Sequence, residues 1–147
     1  LNSYSSIIGI GLSLPYYGPV KTMTNLNPVS VGILHKICKE CELDIYIHST
    51  WATKSIDWFK DMFSNYGVND INILDIIHDR GKNRVDRIQE AISFYKPEKF
   101  IILDDDEDLK KSFDDKTFIH TNPENGLSFE HYIKILKIFD KQIPLII

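Results

Sequence analysis

The stretch Lys99–Leu109, KFIILDDDEDL, decides how the chain reads. Lys99 is followed by four apolar residues, Phe100–Leu103, and then by Asp104, Asp105, Asp106, Glu107 and Asp108. A short apolar run that ends abruptly in charge is the pattern of a buried strand, and this one delivers carboxylates to its carboxyl end. In an open α/β sheet that edge is where ligands bind, and oxygen ligands there suit a hard cation such as magnesium. The plainer reading is a solvated acidic turn, the usual fate of a charge run.

Outward from this strand, the sequence alternates strand and helix. Ser6–Leu14, SIIGIGLSL, predicts a first strand whose Gly9 and Gly11 leave bare backbone, the mark of a bulge or a close approach. Residues 15–27, with PYYGP among them, form a flap-like loop, in which Tyr16 and Tyr17 either cover a ligand or pack. Asn27-Pro28 starts a helix that carries an apolar stripe of Leu34, Ile37, Cys38 and Cys41 and ends near Glu42. Leu43–His48 is a second strand, breaking into Ser49, Thr50 and Trp51. A second helix over Thr53–Tyr66 sets Trp58, Phe59, Met62, Phe63 and Tyr66 on one face and is stopped by Gly67. Ile71–Ile77 is a third strand, followed by the polar turn His78–Arg84 and a helix with Val85, Ile88, Ile92 and Tyr95, ended by Pro97. Beyond the acidic run, Leu109 and Phe113 suggest a short fourth helix and Thr117–His120 a fifth strand. Asn125-Gly126 is a turn, and Ser128 caps a last helix, with Leu127 and Tyr132 as a hydrophobic staple. That helix buries Tyr132, Leu136 and Phe139. The tail Ile143–Ile147 is apolar and reads as a further strand or the start of another segment.

Five alternations of this kind predict an α/β fold: a three-layer, Rossmann-like parallel sheet of about five strands with helices on both faces, in a single domain over residues 1–147. Right-handed crossovers bring the carboxyl ends of all the strands to one edge. Gly9–Ser13, His48–Trp51, His78–Arg84, Asp104–Asp108 and His120–Asn125 then converge there.

Composition narrows the function. The chain has 147 residues, 43% hydrophobic and 26% charged, enough for one core that buries about two thirds of the unfolded surface. With a net charge of −4 and a pI of about 5.7, and with Lys and Arg scattered, a general nucleic-acid-coating role is not expected. No apolar run reaches the roughly 18 residues that span a bilayer, and no basic-then-apolar signal opens the chain. The expectation is a soluble, cytoplasmic domain without membrane association. It begins with Leu1, the start expected of a processed product or a piece of a longer protein. Cys38 and Cys41 are its only cysteines; they read as small apolar residues of a helix stripe rather than as a redox pair, because a low thiol pKa usually needs a helix's first turn.

Hydroxyls at one strand end, a cation opening a helix and carboxylates at another strand end are the parts that bind a phosphate beside magnesium. Ser49 could hydrogen-bond a phosphoryl oxygen, Lys82 or Arg84 could neutralise it, and Asp104 with Asp105 could hold the metal. With these parts in this order, the chain resembles the haloacid dehalogenase (HAD) superfamily of phosphohydrolases. IYIHSTW, KFIILDDD and FIHTNPENGLSFEHY look like the small HAD domains of Swiss-army-knife RNA repair proteins, a resemblance running from about Ser6 to Phe139. It implies that the second-motif hydroxyl falls on Ser49, with Thr50 next, the third-motif cation on Lys82, with Arg84 competing, and the fourth-motif acids on Asp104 and Asp105.

The departure is at the first motif, where HAD enzymes carry DxDG on strand one, the first aspartate as nucleophile and the second as general acid and base. The matching positions here are Gly9 and Gly11. Glycine cannot replace a carboxylate nucleophile, and the first of those aspartates also ligates magnesium. Ser13, the nearby hydroxyl, lacks an adjacent base. The expectation is a degenerate domain without phosphohydrolase activity and with no catalytic residue. It acts as a binding or structural module with a residual phosphate and magnesium-type pocket, taking a small phosphorylated ligand and joining a protein partner or other domains of its parent. The alternatives are an active magnesium-dependent phosphatase working on a nucleotide or polynucleotide end, and an unrelated α/β domain. His48, His78 and His120 also fall at strand ends on that edge. Strands lie about 4.8 Å apart, too far for strands three and five to share one ion, so at best His48 meets an aspartate across strand one.

Overall fold

A computed structural model describes residues 5–10, 26–48, 54–78, 81–122 and 126–143, the first of these segments as backbone. It is a mixed α/β chain of short parallel strands and, among the described residues, four α-helices. The elements are β1 Ser5–Ile10, α1 Pro28–Glu40, β2 Asp44–Ile47, α2 Ile56–Ser64, β3 Asn72–Ile76, α3 Arg84–Tyr95, β4 Lys99–Asp104, β5 Phe118–His120 and α4 Phe129–Ile138. The strands pair in parallel in the order β3-β2-β1-β4-β5.

Side chains alternate across the pleat of a strand, and the core follows that rule. Ile45, Ile47, Ile101 and Leu103 join one apolar cluster with Leu34 and Ile37 of α1, Phe59 and Phe63 of α2, and Ile135 and Leu136 of α4. Tyr46 and Ile102, the intervening residues, join a second cluster with Ile88 of α3, Leu109 and Phe118. A strand buried on both sides reads as an unbroken apolar run, which is why Phe100–Leu103 carries no polar residue.

Helix boundaries follow local chemistry. The Asn27 side chain accepts from Val29 N–H at 2.9 Å, ahead of Pro28 at the first helical position. Ser55 accepts from Trp58 N–H at 3.1 Å, so α2 begins at Ile56 rather than near Thr53. Gly67, at φ 75°, supplies the left-handed residue beyond α2 that a side chain would resist. α3 ends with Lys96 in the left-handed region, just before Pro97. The expected short fourth helix is instead a 3-10 turn, Glu107–Lys111, capped by the Asp106 carboxylate on Asp108 N–H at 3.0 Å. In α4, Ser128 Oγ accepts from His131 N–H and His131 Nδ1 accepts from Ser128 N–H at 3.0 Å, a capping box with histidine where glutamate is usual. Leu127 and Tyr132, the expected staple, are both buried.

α1 packs on α4, and the Tyr132 hydroxyl donates to Glu40 Oε2 at 2.5 Å while Lys36 Nζ lies 2.7 Å from Oε1. Tyr132→Phe keeps the ring and removes the bond to a charged acceptor, so an expected loss of about 1.5 kcal/mol should appear as a lower urea midpoint at unchanged m-value.

Candidate functional site

The strand order reverses between β1 and β4: β2 and β3 lie on one side of β1, β4 and β5 on the other. That reversal opens a crevice at the carboxyl ends of the strands. Asp104 closes β4 there, paired in register with His120 of β5. On the other side Ile10 pairs with Leu103 after an irregular stretch between Ile7 and Ile10, so Gly9 borders the end of β4.

Asp104 is fully buried, and its carboxylate is heavily engaged. Arg84, the first residue of α3, donates from Nη1 to both carboxylate oxygens, at 3.2 Å to Oδ1 and 2.9 Å to Oδ2. Asp106 N–H donates to Oδ1 at 2.8 Å, the local turn that an aspartate side chain commonly makes two residues on. His48, the residue after β2, is also fully buried and brings Nε2 to 3.5 Å from Oδ2. It reaches across β1, as the sequence allowed at best. Burial pushes the Asp104 carboxyl up to about 6; the Asp106 N–H and the Arg84 guanidinium hold it down only partly, and the Asp105 charge adds to the rise.

The remaining acids have other duties. Asp105 is exposed, and its backbone carbonyl lies 3.0 Å from His120 Nε2. Asp106 caps the 3-10 turn, and Glu107 and Asp108 sit at 3.3 and 3.6 Å from Lys110 and Lys111 on the surface. The acidic run is therefore one buried carboxylate followed by a largely solvated turn.

Of the two cations proposed to face the edge, Arg84 reaches Asp104. Lys82 does not; it pairs with Glu90 at 2.8 Å on the surface. Ser49, Thr50, Gly11, Ser13, Tyr16 and Tyr17 lie outside the described residues. His78 is exposed, and among the described residues no three His, Cys, Asp or Glu side chains are grouped to hold a metal. Cys38 and Cys41 are buried and free; burial raises both thiols, Cys41 to about 11, which leaves them inert. Thr121, in the threonine-bearing segment FIHTNPENGLSFEHY, donates its N–H to the Asp104 carbonyl at 2.9 Å. Its buried hydroxyl has no hydrogen-bond partner among the described residues. Thr121 belongs to the His120–Asn125 stretch expected at this edge, but the sequence assigns its hydroxyl no role, because a threonine after a strand is ordinary turn chemistry.

A parallel sheet that reverses at a central first strand, with a buried aspartate on the neighbouring strand and an arginine delivered to it from the preceding helix, defines a HAD-like α/β domain. Residues 14–132 match the family model for the HAD domain in Swiss Army Knife RNA repair proteins, and the chain belongs to that family. The match begins beyond β1 and does not reach Gly9. Comparison with curated proteins and with solved structures gave no match. Among the described residues no helix is long and apolar enough to cross a membrane.

Proposed function

We propose that the chain is a HAD-like module that holds a phosphate-type anion at the sheet edge and does not hydrolyse it. One observation carries this reading: the buried Asp104 carboxylate has both oxygens on Arg84, beside a first strand whose matching residue is glycine. The donor set fits magnesium poorly. A metal at Asp104 and Asp105 would neutralise phosphoryl oxygens, but both oxygens of Asp104 are committed to the Arg84 guanidinium. Arg84 itself is the better anion holder. Its side chain is 25% exposed, and only Nη1 is used on Asp104, so its other N–H donors can face an oxyanion. Ser49 and Thr50, directly after His48, would add hydroxyls. The two apolar clusters on alternate residues of β2 and β4 support the three-layer arrangement that makes such an edge. The family's description, RNA repair, supports a nucleotide or RNA end as the source of the anion and neighbouring domains as partners.

The test joins turnover to binding. With an aryl phosphate and magnesium, the unaltered chain should show no hydrolysis, and the double variant Gly9→Asp/Gly11→Asp should gain a measurable rate. Inorganic phosphate at about 100 times its Kd should stabilise the unaltered chain by about 2.7 kcal/mol, and this shift should vanish in Arg84→Met. Hydrolysis by the unaltered chain that disappears in Asp105→Asn would overturn the proposal in favour of an active phosphatase.

A further inference from the structure

A second concavity, of about 230 Å³, opens at the carboxyl end of the edge strand β3, three strand spacings or roughly 14 Å across the sheet from β4. Its walls are Arg87, Ala91, Phe94 and Tyr95 of α3 and Asp75 and Ile76 of β3. None of these belongs to the Asp104 site.

The aromatic wall is braced before any ligand arrives. Tyr95 packs against Tyr46 of β2, with the rings tilted by 46° and their centroids 4.6 Å apart, and its hydroxyl donates to Asp75 Oδ2. Phe94 sets its ring edge-on to Tyr95 at 4.8 Å, yet it is 77% exposed. An exposed ring beside a cleft offers a flat apolar face to a planar ligand.

The polar groups are short of partners. Among the described residues Arg87 makes no ion pair; Nη1 lies 3.5 Å from the Ile77 carbonyl, the limit of a hydrogen bond, and its buried Nε has no hydrogen-bond partner. Asp75 accepts from Ile76 N–H at 2.8 Å and from Tyr95, which leaves about two of a carboxylate's four lone-pair sites. The cleft thus offers a donor fork, an acceptor and an aromatic face. Its volume lies below the roughly 300–1,000 Å³ of pockets for drug-sized ligands, enough for one ring system. Lys82 and Arg87 are balanced by Glu90 and Asp75 around it, so a bare anion gains little there and a planar ring with both donors and acceptors on its edge gains most. That is the chemistry of a base: guanidinium to purine acceptors, carboxylate to exocyclic amino groups, and ring on aromatic face.

We propose that this cleft binds one unpaired nucleobase, its ring against Phe94 and its edge between Arg87 and Asp75. The base comes either from a free nucleoside or nucleotide, or from a single strand. Calorimetric titration of the 147-residue chain with guanosine, cytidine and ribose keeps phosphate, and hence Arg84, out of the measurement. At least one nucleoside should bind and ribose should not. Phe94→Ala, at an exposed position where folding is unaffected, should weaken the nucleoside about tenfold or more, and Arg87→Gln should weaken it comparably, while Lys110→Met, on the exposed turn after β4, leaves it unchanged. A short single-stranded RNA binding more tightly than the nucleoside assigns the base to a strand, and equal affinities assign it to a free ligand. Ribose binding as well as the nucleosides, no binding by either nucleoside, or an unchanged affinity in Phe94→Ala overturns the proposal. So does an RNA affinity that falls more than tenfold between 50 and 200 mM salt, the mark of backbone rather than base contact.

Discussion

Replacing Arg84 by methionine is expected to lower stability at pH 7 by about 3 kcal/mol, the low end of the loss on removing one partner of a buried ion pair. The size follows from what is left behind. Asp104 is fully buried, and without the guanidinium it retains the Asp106 N–H at 2.8 Å and His48 at 3.5 Å. Two facts keep the loss from being larger: Arg84 is a quarter exposed, so water already screens part of the attraction, and the Asp104 carboxyl, already raised to about 6, can take up a proton when its partner goes. Lys82→Met serves as the contrast. Its pairing with Glu90 is half exposed at both ends, and exposed pairs contribute about 0–1 kcal/mol. Urea unfolding of the two variants measures the difference. Equal losses, or a larger one for Lys82→Met, would remove Arg84 from its assigned place. Combining Arg84→Met with Asp104→Asn should cost less than the two single losses added together, because the second change removes the charge that the first leaves stranded.

That contrast marks where the sequence stops being informative. β4 was readable because a strand covered on both faces must be apolar throughout, and its end was readable because Asp104 is where that constraint stops. The caps at Asn27 and Ser128 were readable for a local reason, a side-chain oxygen before an apolar period. Lys82 and Arg84 share one polar turn, and only the point at which α3 begins decides between them; Asn83 accepting from Asp86 N–H at 2.8 Å makes Arg84 the first helical residue and turns it onto β4. His48 was legible as a strand end, and an aspartate across strand one was the best partner that strand spacing allowed; that the two meet depends on the order β2-β1-β4, which is a tertiary fact. Tyr95 shares α3 with Ile88, which is fully buried. Tyr95 itself is 36% exposed, because the last turn of α3 lies by the edge strand β3, where the sheet no longer covers it. The 3-10 turn after β4 escaped for the opposite reason: the carboxylates of Asp104 and Asp106 bond the N–H groups two residues on, and such local bonds compete with an α-helix.

The last expected result is a pH dependence carried by Asp104. In the unfolded chain its carboxyl titrates at an ordinary 3.8, and in the fold burial raises it to about 6. Between these values the folded state holds a proton that the unfolded state has released, so stability falls as pH rises. The contribution is complete below about pH 4 and is lost as the pH passes through 6, a difference of the order of 2 to 3 kcal/mol. Asp104→Asn keeps a similar volume but cannot titrate, so the stability difference between the unaltered chain and this variant should shift by that amount between pH 4 and pH 7, in favour of the variant at the higher pH. Taking the difference cancels exposed carboxylates such as Asp70, which its bond to Lys39 holds low and which therefore acts in the opposite direction. A flat difference across that range would mean that Arg84 and the Asp106 N–H just offset burial. A difference of the opposite sign would mean that they hold Asp104 below 3.8. In Arg84→Met, with the main opposing charge gone, the fall should move to higher pH, so the same unfolding curves recorded from pH 4 to pH 8 link the charge pair to the titration it controls.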